Sequence, residues 1–111
     1  MKKKLGKIEN VWFGHGGYQD ACIGINFTLS FDGGGTQTGE TAWDANMIKC
    51  TEHCKWTEAD RSRQYDEIMR YISDLLHQAK VKNIADLKDV PIEATIEGNA
   101  LKEWRILTEV I

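Results

Sequence analysis

The sequence predicts one α+β domain, an antiparallel sheet packed against one long amphipathic helix, in the order β-β-(β)-α-β-β. Three observations predict it. Residues 22–31 alternate strictly between apolar and polar types, residues 65–79 carry apolar side chains at spacings of three and four, and residues 92–97 alternate again before a Gly98-Asn99 turn. A length of 111 residues fits a single domain over positions 1–111.

The N-terminal part of the chain is predicted to form two strands and a weaker third one. Residues 5–13 form the first strand, and the glycines of residues 14–17 make a tight turn. Residues 22–31 form the second strand, whose period of two places its isoleucine, phenylalanine and leucine side chains on one buried face. Residues 32–35, an aspartate and three glycines, predict a break and a mobile loop. Residues 36–43 would therefore form a weak edge strand at best.

The helix is indicated both by its start and by its apolar face. Thr57 is a good N-cap, and Asp60 completes a weaker form of the capping box. The apolar stripe consists of Tyr65, Ile68, Met69, Ile72, Leu75, Leu76 and Ala79. We expect this stripe to pack on the face of the second strand that carries Ile23, Ile25 and Phe27.

The C-terminal part is predicted to contain a capped turn and a hairpin. Asn83 can cap a short turn over residues 84–87, and Pro91 can begin a strand, where its missing N–H matters least. The last strand is expected from about Leu101 to Ile111, with apolar side chains on both faces. One helix covers only one of these faces, so we expect a second copy of the protein to cover the other, in a dimer or a higher oligomer.

Composition argues against several classes of function. The formal net charge is −3 and the pI is about 5.6, and a DNA or RNA polymer would require a basic face instead. No segment approaches the length of about 18 apolar residues that spans a membrane. The three cysteines are an odd number and no secretory signal is evident, so we expect reduced thiols and a cytoplasmic location.

No catalytic machinery is recognisable in the sequence. Cys50, His53 and Cys54 offer thiolate and imidazole ligands, but their spacing matches no common zinc motif, and a fourth ligand would have to come from elsewhere in the chain. No nucleophile elbow or companion motif frames a serine or cysteine. We therefore expect a protein that works by binding, with no catalytic residue, no metal and no cofactor.

The candidate binding residues combine a glycine turn, tryptophans and arginines. Backbone N–H groups beside the glycines of residues 14–20 can cradle an anion, although the same segment also fits a plain hairpin turn. Trp43 and Trp56 lie where no pattern dictates burial, so either indole could stack on a base while a nearby arginine meets a phosphate. Trp12 and Trp104 follow strand periodicity and are assigned to the core. The candidate ligand-binding residues are Gly16, Gly17, Tyr18, Gln19, Trp43, Trp56, Arg61, Asn99 and Arg105.

Three segments resemble small proteins encoded by phages and prophages. They are Val11–Ala21 (VWFGHGGYQDA) with the following Ile23–Ile25 (IGI), Trp56–Arg61 (WTEADR) at the helix start, and Glu97–Ile111 (EGNALKEWRILTEVI) at the end of the chain. On these segments the chain resembles the first-described Thoeris anti-defence family, the phage sponge proteins. It differs over Gly33–Thr41, which is polar and short where relatives carry more glycine and aromatic residues.

This resemblance implies a protein that captures a signal and is not an enzyme. Such sponges bind cyclic ADP-ribose isomers that bacterial TIR-domain enzymes make, and they thereby deprive an immune effector of its signal. Some of these sponges also bind cyclic di- or trinucleotides at separate sites. The resemblance also implies oligomers, pockets of aromatic and arginine side chains at subunit junctions, and a location in the cytoplasm of an infected bacterium. Two other hypotheses stay open: a protein–protein inhibitor of a host defence complex, as anti-CRISPR proteins are, and an unassigned phage accessory protein.

Overall fold

The computed structural model describes residues 1–17, 20–44 and 57–111. Its main elements are β1 (Lys2–Gly16), β2 (Cys22–Phe31), β3 (Gly34–Trp43), α1 (Glu58–Ala79), β4 (Pro91–Glu97) and β5 (Ala100–Ile106), together with two 3₁₀ turns, Ile84–Leu87 and Thr108–Val110. The strands form one antiparallel sheet in the order β3-β2-β1-β4-β5. The predicted α+β class, with one long helix on an antiparallel sheet, is confirmed.

Strand β1 is longer at both ends than predicted and takes part in two pairings. Residues 2–7 pair with β4, and residues 6–16 pair with β2. The register with β2 shifts at Glu9, and such a bulge bends a strand and increases its twist. The sheet is curled as a result. The ring of Phe27 on β2 packs edge-on against Trp104 on β5, three strands further along, with ring centroids 5.1 Å apart.

Helix α1 begins with the predicted capping box. The Thr57 hydroxyl accepts a hydrogen bond from the Asp60 backbone N–H at 3.2 Å, and the Asp60 carboxylate accepts one from the Thr57 backbone N–H at 2.9 Å. The bond from the Thr57 backbone is the largest cause of a lowered pKa at Asp60. Because these bonds satisfy N–H groups that a helix start leaves without partners, they fix where α1 begins.

The core lies between α1 and the inner face of the sheet. The buried helix residues are Ile68, Ile72, Leu75 and Ala79. They share one cluster with Ile25, Phe27 and Leu29 of β2 and with Ala42 of β3, so the predicted packing of the stripe on the second strand is confirmed. The prediction was wrong for Met69, which is 67% exposed. Met69 is turned about 100° around the helix from Ile68 and borders an open groove.

Strand β3 corrects the prediction for the glycine-rich segment. The sequence predicts a mobile loop over residues 32–35, but Asp32 and Gly33 form a two-residue turn and β3 begins directly after it. Gly33 has a φ of +86°, which glycine adopts without strain. The predicted weak edge strand is in fact paired with β2 over ten residues without a register shift. A Cβ at Gly35 would lie 2.8 Å from the Leu29 carbonyl oxygen, so the close approach of the two strands requires glycine there.

The predicted C-terminal hairpin is confirmed. β4 begins at Pro91, and Gly98, with a φ of +63°, lies in the turn to β5. Asn83 caps the first 3₁₀ turn as predicted, through a hydrogen bond that its side-chain oxygen accepts from the Asp86 N–H at 3.2 Å. Leu87, at the end of this turn, is fully buried, so the connection between α1 and β4 is part of the core.

The last strand is shorter than predicted. The sequence suggests a strand that reaches Ile111 with apolar residues on both faces, whereas β5 ends at Ile106 and a 3₁₀ turn follows. The Leu107 N–H donates to the Pro91 carbonyl at 3.0 Å, and the chain then leaves the sheet. Val110 is consequently 66% exposed and unpaired with any strand. The expectation of self-association that rested on two apolar faces of this strand loses its basis.

Candidate ligand-binding face

One face of the β1–β3 part of the sheet points away from α1, and over residues 10–16 of β1 and their partners on β2 and β3 it carries no charged side chain. Side chains alternate along a strand, so the register of the three strands arranges this face in rows. The rows are Trp12, Asn26 and Gly39; Gly14, Gly24 and Thr41; and Gly16, Cys22 and Trp43, with Asn10, Thr28 and Gln37 beside them. We call these twelve residues the tryptophan face.

Both tryptophans of this face are partly exposed. Trp12 is 44% exposed and Trp43 is 40% exposed. The Trp12 ring extends along its own strand. Its Cζ3 lies 3.6 Å from the position that a Cβ at Gly14 would occupy, and its Cη2 lies 3.0 Å from the position of a Cβ at Gly16. A side chain at Gly16 would displace the ring, so the glycines leave room for the indole along its own strand. Trp43 lies two strands from Gly16, roughly 10 Å away, and Cys22 lies between them.

A groove of about 290 Å³ lies beside Trp12 on this face. We call it the outer groove. Its lining consists of Trp12, Asn26, Phe27, Thr28, Gln37, Thr38, Gly39 and Thr41. These residues offer amides, hydroxyls and one indole, and none of them is charged. A Cβ at Gly39 would come 3.2 Å from the Asn26 Oδ1, so the missing side chain gives that amide its space.

A buried carboxylate joins the end of β3 to the start of α1. Asp44, 6% exposed, accepts a hydrogen bond from the Arg61 Nη2 at 3.2 Å, and its other oxygen lies 3.0 Å from the His15 Nε2. The Arg61 Nε also donates to the Tyr65 hydroxyl at 3.0 Å. That bond is the largest cause of a raised pKa at Arg61, and the charges of Glu58 and Asp44 add to it. The guanidinium is therefore committed to the fold, and a ligand phosphate would compete with Asp44 for it.

The structure brings together four of the residues that the sequence proposes for binding. Gly16, Gly17, Trp43 and Arg61 lie where the ends of β1 and β3 meet the start of α1. Gly17 has a φ of +77°, and a Cβ there would come 3.1 Å from the Cys22 Sγ. Three further candidates, Tyr18, Gln19 and Trp56, lie outside the described residues.

The remaining two candidates lie elsewhere. Asn99 is an exposed turn residue between β4 and β5. Arg105 forms ion pairs with Glu109 at 2.9 Å and with Glu93 at 3.1 Å, which raise the pKa of Arg105. Glu93 is paired with Leu5 of β1, and Leu5 lies eleven residues, or roughly 35 Å, along that strand from Gly16. The structure therefore does not bring Asn99 and Arg105 to the other candidates, and Arg105 already has two carboxylate partners.

A second groove, of about 390 Å³, opens between α1 and the inner face of the sheet. We call it the apolar groove. It is lined by Phe13, Ile23, Tyr65, Ile68, Met69, Ile72 and Ile84. Within the described part of the chain, Phe13 remains 48% exposed and Met69 67% exposed. Contiguous apolar surface of this kind indicates an interaction site.

Sequence reasoning misses the tryptophan face. It assigns Trp12 to the core by strand periodicity, although Trp12 shares its face with Gly14 and Gly16 and not with the apolar residues on either side of it. Glycine at every second position weakens a packed face, so this pattern could have separated Trp12 from the core. Asn26 and Gln37 become neighbours only through the β2–β3 pairing, and the sequence does not reveal that register.

Comparison with known proteins adds no relative, since no family model, curated protein or solved structure matches the chain. Within residues 1–17, 20–44 and 57–111, no group of three or more histidine, cysteine or acidic side chains could hold a metal ion, and no helix is long and apolar enough to cross a membrane. The possible ligands Cys50, His53 and Cys54 lie outside those ranges. Fold and site thus define an α+β domain with an uncharged aromatic face on its sheet.

Proposed function

We propose that this protein binds a nucleotide signalling molecule and sequesters it without degrading it, as a phage counter-defence protein in the cytoplasm of an infected bacterium. The observation that carries the proposal is the tryptophan face, where the partly exposed indoles of Trp12 and Trp43 flank an uncharged strip of sheet. The resemblance to the Thoeris anti-defence sponges supports a cyclic ADP-ribose isomer, or a cyclic oligonucleotide, as the ligand. No catalytic residue or cofactor takes part.

Stacking supplies much of the affinity in this proposal. A base stacked on an aromatic side chain contributes about 1–3 kcal/mol. Gly14 and Gly16 leave room for the Trp12 ring along its own strand, and a ring that is already in place loses less entropy on binding. Sequestration at nanomolar concentration requires about 12 kcal/mol, which is more than two stacked rings provide. Further contacts are therefore required.

Self-association is part of the proposal and would supply such contacts. β3 is an edge strand of ten residues with Glu40 as its one charged residue and with no lysine or proline. β5, at the opposite edge, carries Lys102, Glu103 and Arg105, and its pairing contains a register shift. Charges and bulges discourage edge-to-edge pairing, so β3 is the edge that favours a second copy. A copy added there, in a dimer or a higher oligomer, would lie next to Gln37 and extend the tryptophan face with its own side chains, which would contact a ligand at that edge.

A nucleic-acid polymer is not part of the proposal. Polymer binding depends on lysine and arginine side chains that meet successive phosphates. None of the twelve residues of the tryptophan face is charged, and the chain has a net charge of −3. A small ligand with one or two bases does not need a row of cations.

The test is a depletion experiment with the purified protein and cyclic ADP-ribose isomers. Micromolar protein should remove a bound isomer from solution, and heating should return it intact. The double substitution Trp12→Ala and Trp43→Ala should abolish the depletion. Met69→Ala, which truncates an exposed side chain on the helix side of the sheet, should leave it unchanged. Isomers that stay in solution, or that return hydrolysed, would contradict the proposal.

A protein–protein inhibitor of a host defence complex is the second candidate, and the apolar groove favours it. Exposed Phe13 and Met69 border that groove, and exposed apolar surface is characteristic of protein interfaces. Under this hypothesis a host protein co-purifies in stoichiometric amount, and the double substitution Phe13→Ala and Met69→Ala removes it while the two tryptophan substitutions do not. The two sets of variants thus serve as controls for each other.

A further inference from the structure

We infer that the outer groove is a subsite for one adenine base, in which Trp12 covers the face of the ring and the amides of Asn26 and Gln37 bind its edge. The inference rests on the proposed function, because it names the part of the ligand that the tryptophan face recognises. It assigns the groove to a neutral base and leaves the phosphates of the ligand outside.

The volume of the groove fits a single base. Sites for drug-sized ligands occupy about 300–1,000 Å³, and the outer groove has about 290 Å³. A whole cyclic dinucleotide exceeds that space, whereas one purine ring with part of its sugar does not. The indole of Trp12 forms one side of the groove and extends along its own strand, so a base that enters the groove lies next to an aromatic ring on which it can stack.

The two amides come from neighbouring strands and reach the same space. Asn26 is paired with Gly39, and Gln37 is paired with Thr28. Asn26 and Gln37 are therefore diagonal neighbours on one face, about 7–8 Å apart and within mutual reach of their side chains. Among the described residues, the Asn26 Nδ2 makes one hydrogen bond, a long one of 3.5 Å to the Gly24 carbonyl, and the Gln37 side chain makes none. Both amides are available to a ligand, since a normal N–H···O bond is about 2.7–3.2 Å long.

The chemistry of the lining selects adenine over guanine. An asparagine or glutamine amide offers one donor and one acceptor, which match the N7 acceptor and the N6 donor of adenine. Guanine presents two acceptors, N7 and O6, on the corresponding edge, and arginine or lysine reads them best. None of the residues that line the outer groove is an arginine or a lysine. The groove therefore favours the base whose edge carries a donor beside an acceptor.

The same lack of charge determines how binding responds to phosphate and to salt. Contacts between cationic side chains and phosphate make affinity fall steeply as salt is raised. The outer groove contains no such contact. Adenosine and AMP are consequently expected to bind within about threefold of each other, with little change over a tenfold range of salt concentration.

The experiment is a calorimetric titration of the whole 111-residue chain with adenosine, AMP and guanosine. The expected dissociation constant for adenosine is on the order of 0.1 mM, from the efficiency typical of ligands of this size, and guanosine should bind about tenfold more weakly. Gln37→Ala and Asn26→Ala should each weaken adenosine binding about tenfold. Gln78→Ala, which truncates an exposed glutamine on α1, is the matched control and should change nothing.

A charge substitution distinguishes base recognition from loss of structure. Gln37→Glu keeps the shape of the side chain but leaves it with acceptors alone. Adenosine should lose affinity because a carboxylate cannot donate to N7. Guanosine should gain because its N1–H and N2 amino group can donate to that carboxylate. The ratio of the two dissociation constants should therefore fall about tenfold or more, with an unchanged thermal midpoint as evidence of an intact fold.

The possible outcomes separate this inference from the proposed function. Equal affinity for adenosine and guanosine, or unaltered adenosine binding in Gln37→Ala, overturns the adenine subsite even when cyclic ADP-ribose isomers are still depleted. If adenosine binds with the expected specificity while no cyclic ADP-ribose isomer is depleted, the proposed function fails and the subsite stands.

Discussion

The two faces of β2 show how one strand serves both the stability of the fold and a candidate binding site. Its inner residues Ile25, Phe27 and Leu29 are at most 1% exposed and belong to the core cluster with α1. Its outer residues, such as Gly24 and Asn26, alternate with them and carry small or polar side chains. Because the two sets point in opposite directions, substitutions on the inner face should cost stability and substitutions on the outer face should cost binding.

This separation depends on a fixed register, since a slip of one residue would exchange the two faces. Two glycines help to fix it. A Cβ at Gly24 would overlap the Glu40 carbonyl oxygen, and a Cβ at Gly39 would overlap the Ile25 carbonyl oxygen. A register that placed a larger residue at either point would force β2 and β3 apart. The outer face thus also contributes to the fold, through positions that lack a side chain.

The largest expected effect is on the inner face. Phe27→Ala should lower the free energy of unfolding by about 3–5 kcal/mol, because its ring is 1% exposed and packs edge-on against Trp104. Urea unfolding followed by circular dichroism measures the change. Asn26→Ala, the adjacent residue on the outer face, is the matched control and should change it by about 0.5 kcal/mol or less. Comparable losses in the two variants would contradict the assignment of the faces.

The second effect concerns the glycines of the outer face. Gly24→Ala should cost about 1–3 kcal/mol, because the added Cβ also lies 2.6 Å from the Thr41 Cα and the backbone of β3 must move. Gly14→Ala is the control in the same row, where the nearest atom is in the Trp12 ring at 3.6 Å, an ordinary contact. Its cost should be close to zero. Equal thermal midpoints for the two variants would show that close approach of β2 and β3 does not require Gly24.

The parts of the fold that the sequence predicts are those with a local signal. The alternation of residues 22–31 and the Thr57 capping box each specify one element through neighbouring residues. The errors fall where tertiary contacts decide. The glycines of residues 32–35 suit a loop, yet Gly33 forms the tight turn and Gly35 allows the close approach of β3 to β2. Residues after Ile106 continue a strand pattern, yet the hydrogen bond from Leu107 to Pro91 ends the strand there.

The candidate site was less predictable than the fold, for a related reason. A sequence reveals the types of side chain that can bind a nucleotide, and Trp43 is proposed on that ground. It does not reveal which charges are already neutralised, and both proposed arginines, Arg61 and Arg105, are held by acidic residues. Nor does it reveal which residues of separate strands lie side by side, so it gives no sign that Trp12 and Gln37 share one face of the sheet.

The third effect tests the outer face for stability alone. Trp12→Ala should cost about 1 kcal/mol or less, because the ring is 44% exposed and extends along its own strand towards Gly14 and Gly16, which have no side chains. Trp104→Ala, the same substitution at the ring that packs on Phe27, should cost about 3 kcal/mol. Urea midpoints of both variants provide the comparison. A large loss for Trp12→Ala would mean that its indole belongs to the core, as the sequence suggests.

The smallest effect concerns the outer side of β4 and β5, where Arg105 forms ion pairs, whereas the twelve residues of the tryptophan face are uncharged. Hydrogen bonds from Arg105 lower the pKa of Glu109 from 4.5 to about 2. Because the folded-state pKa is below the unfolded value, the stability that this carboxylate contributes is complete above about pH 4.5 and is lost as the pH falls towards 2. The pair is exposed to solvent, so the contribution is small and is screened by salt.

Glu109→Gln measures this contribution directly. Its thermal midpoint should lie slightly below that of the unsubstituted protein near neutral pH, and the difference should vanish near pH 2 and shrink at high salt. A difference that persists at low pH would assign the effect to packing instead of charge. The same variant removes one of the two carboxylates that hold Arg105. If adenosine binding is unaltered in it, the neutral and the ion-paired parts of the outer face act independently, and Arg105 has no part in the ligand site.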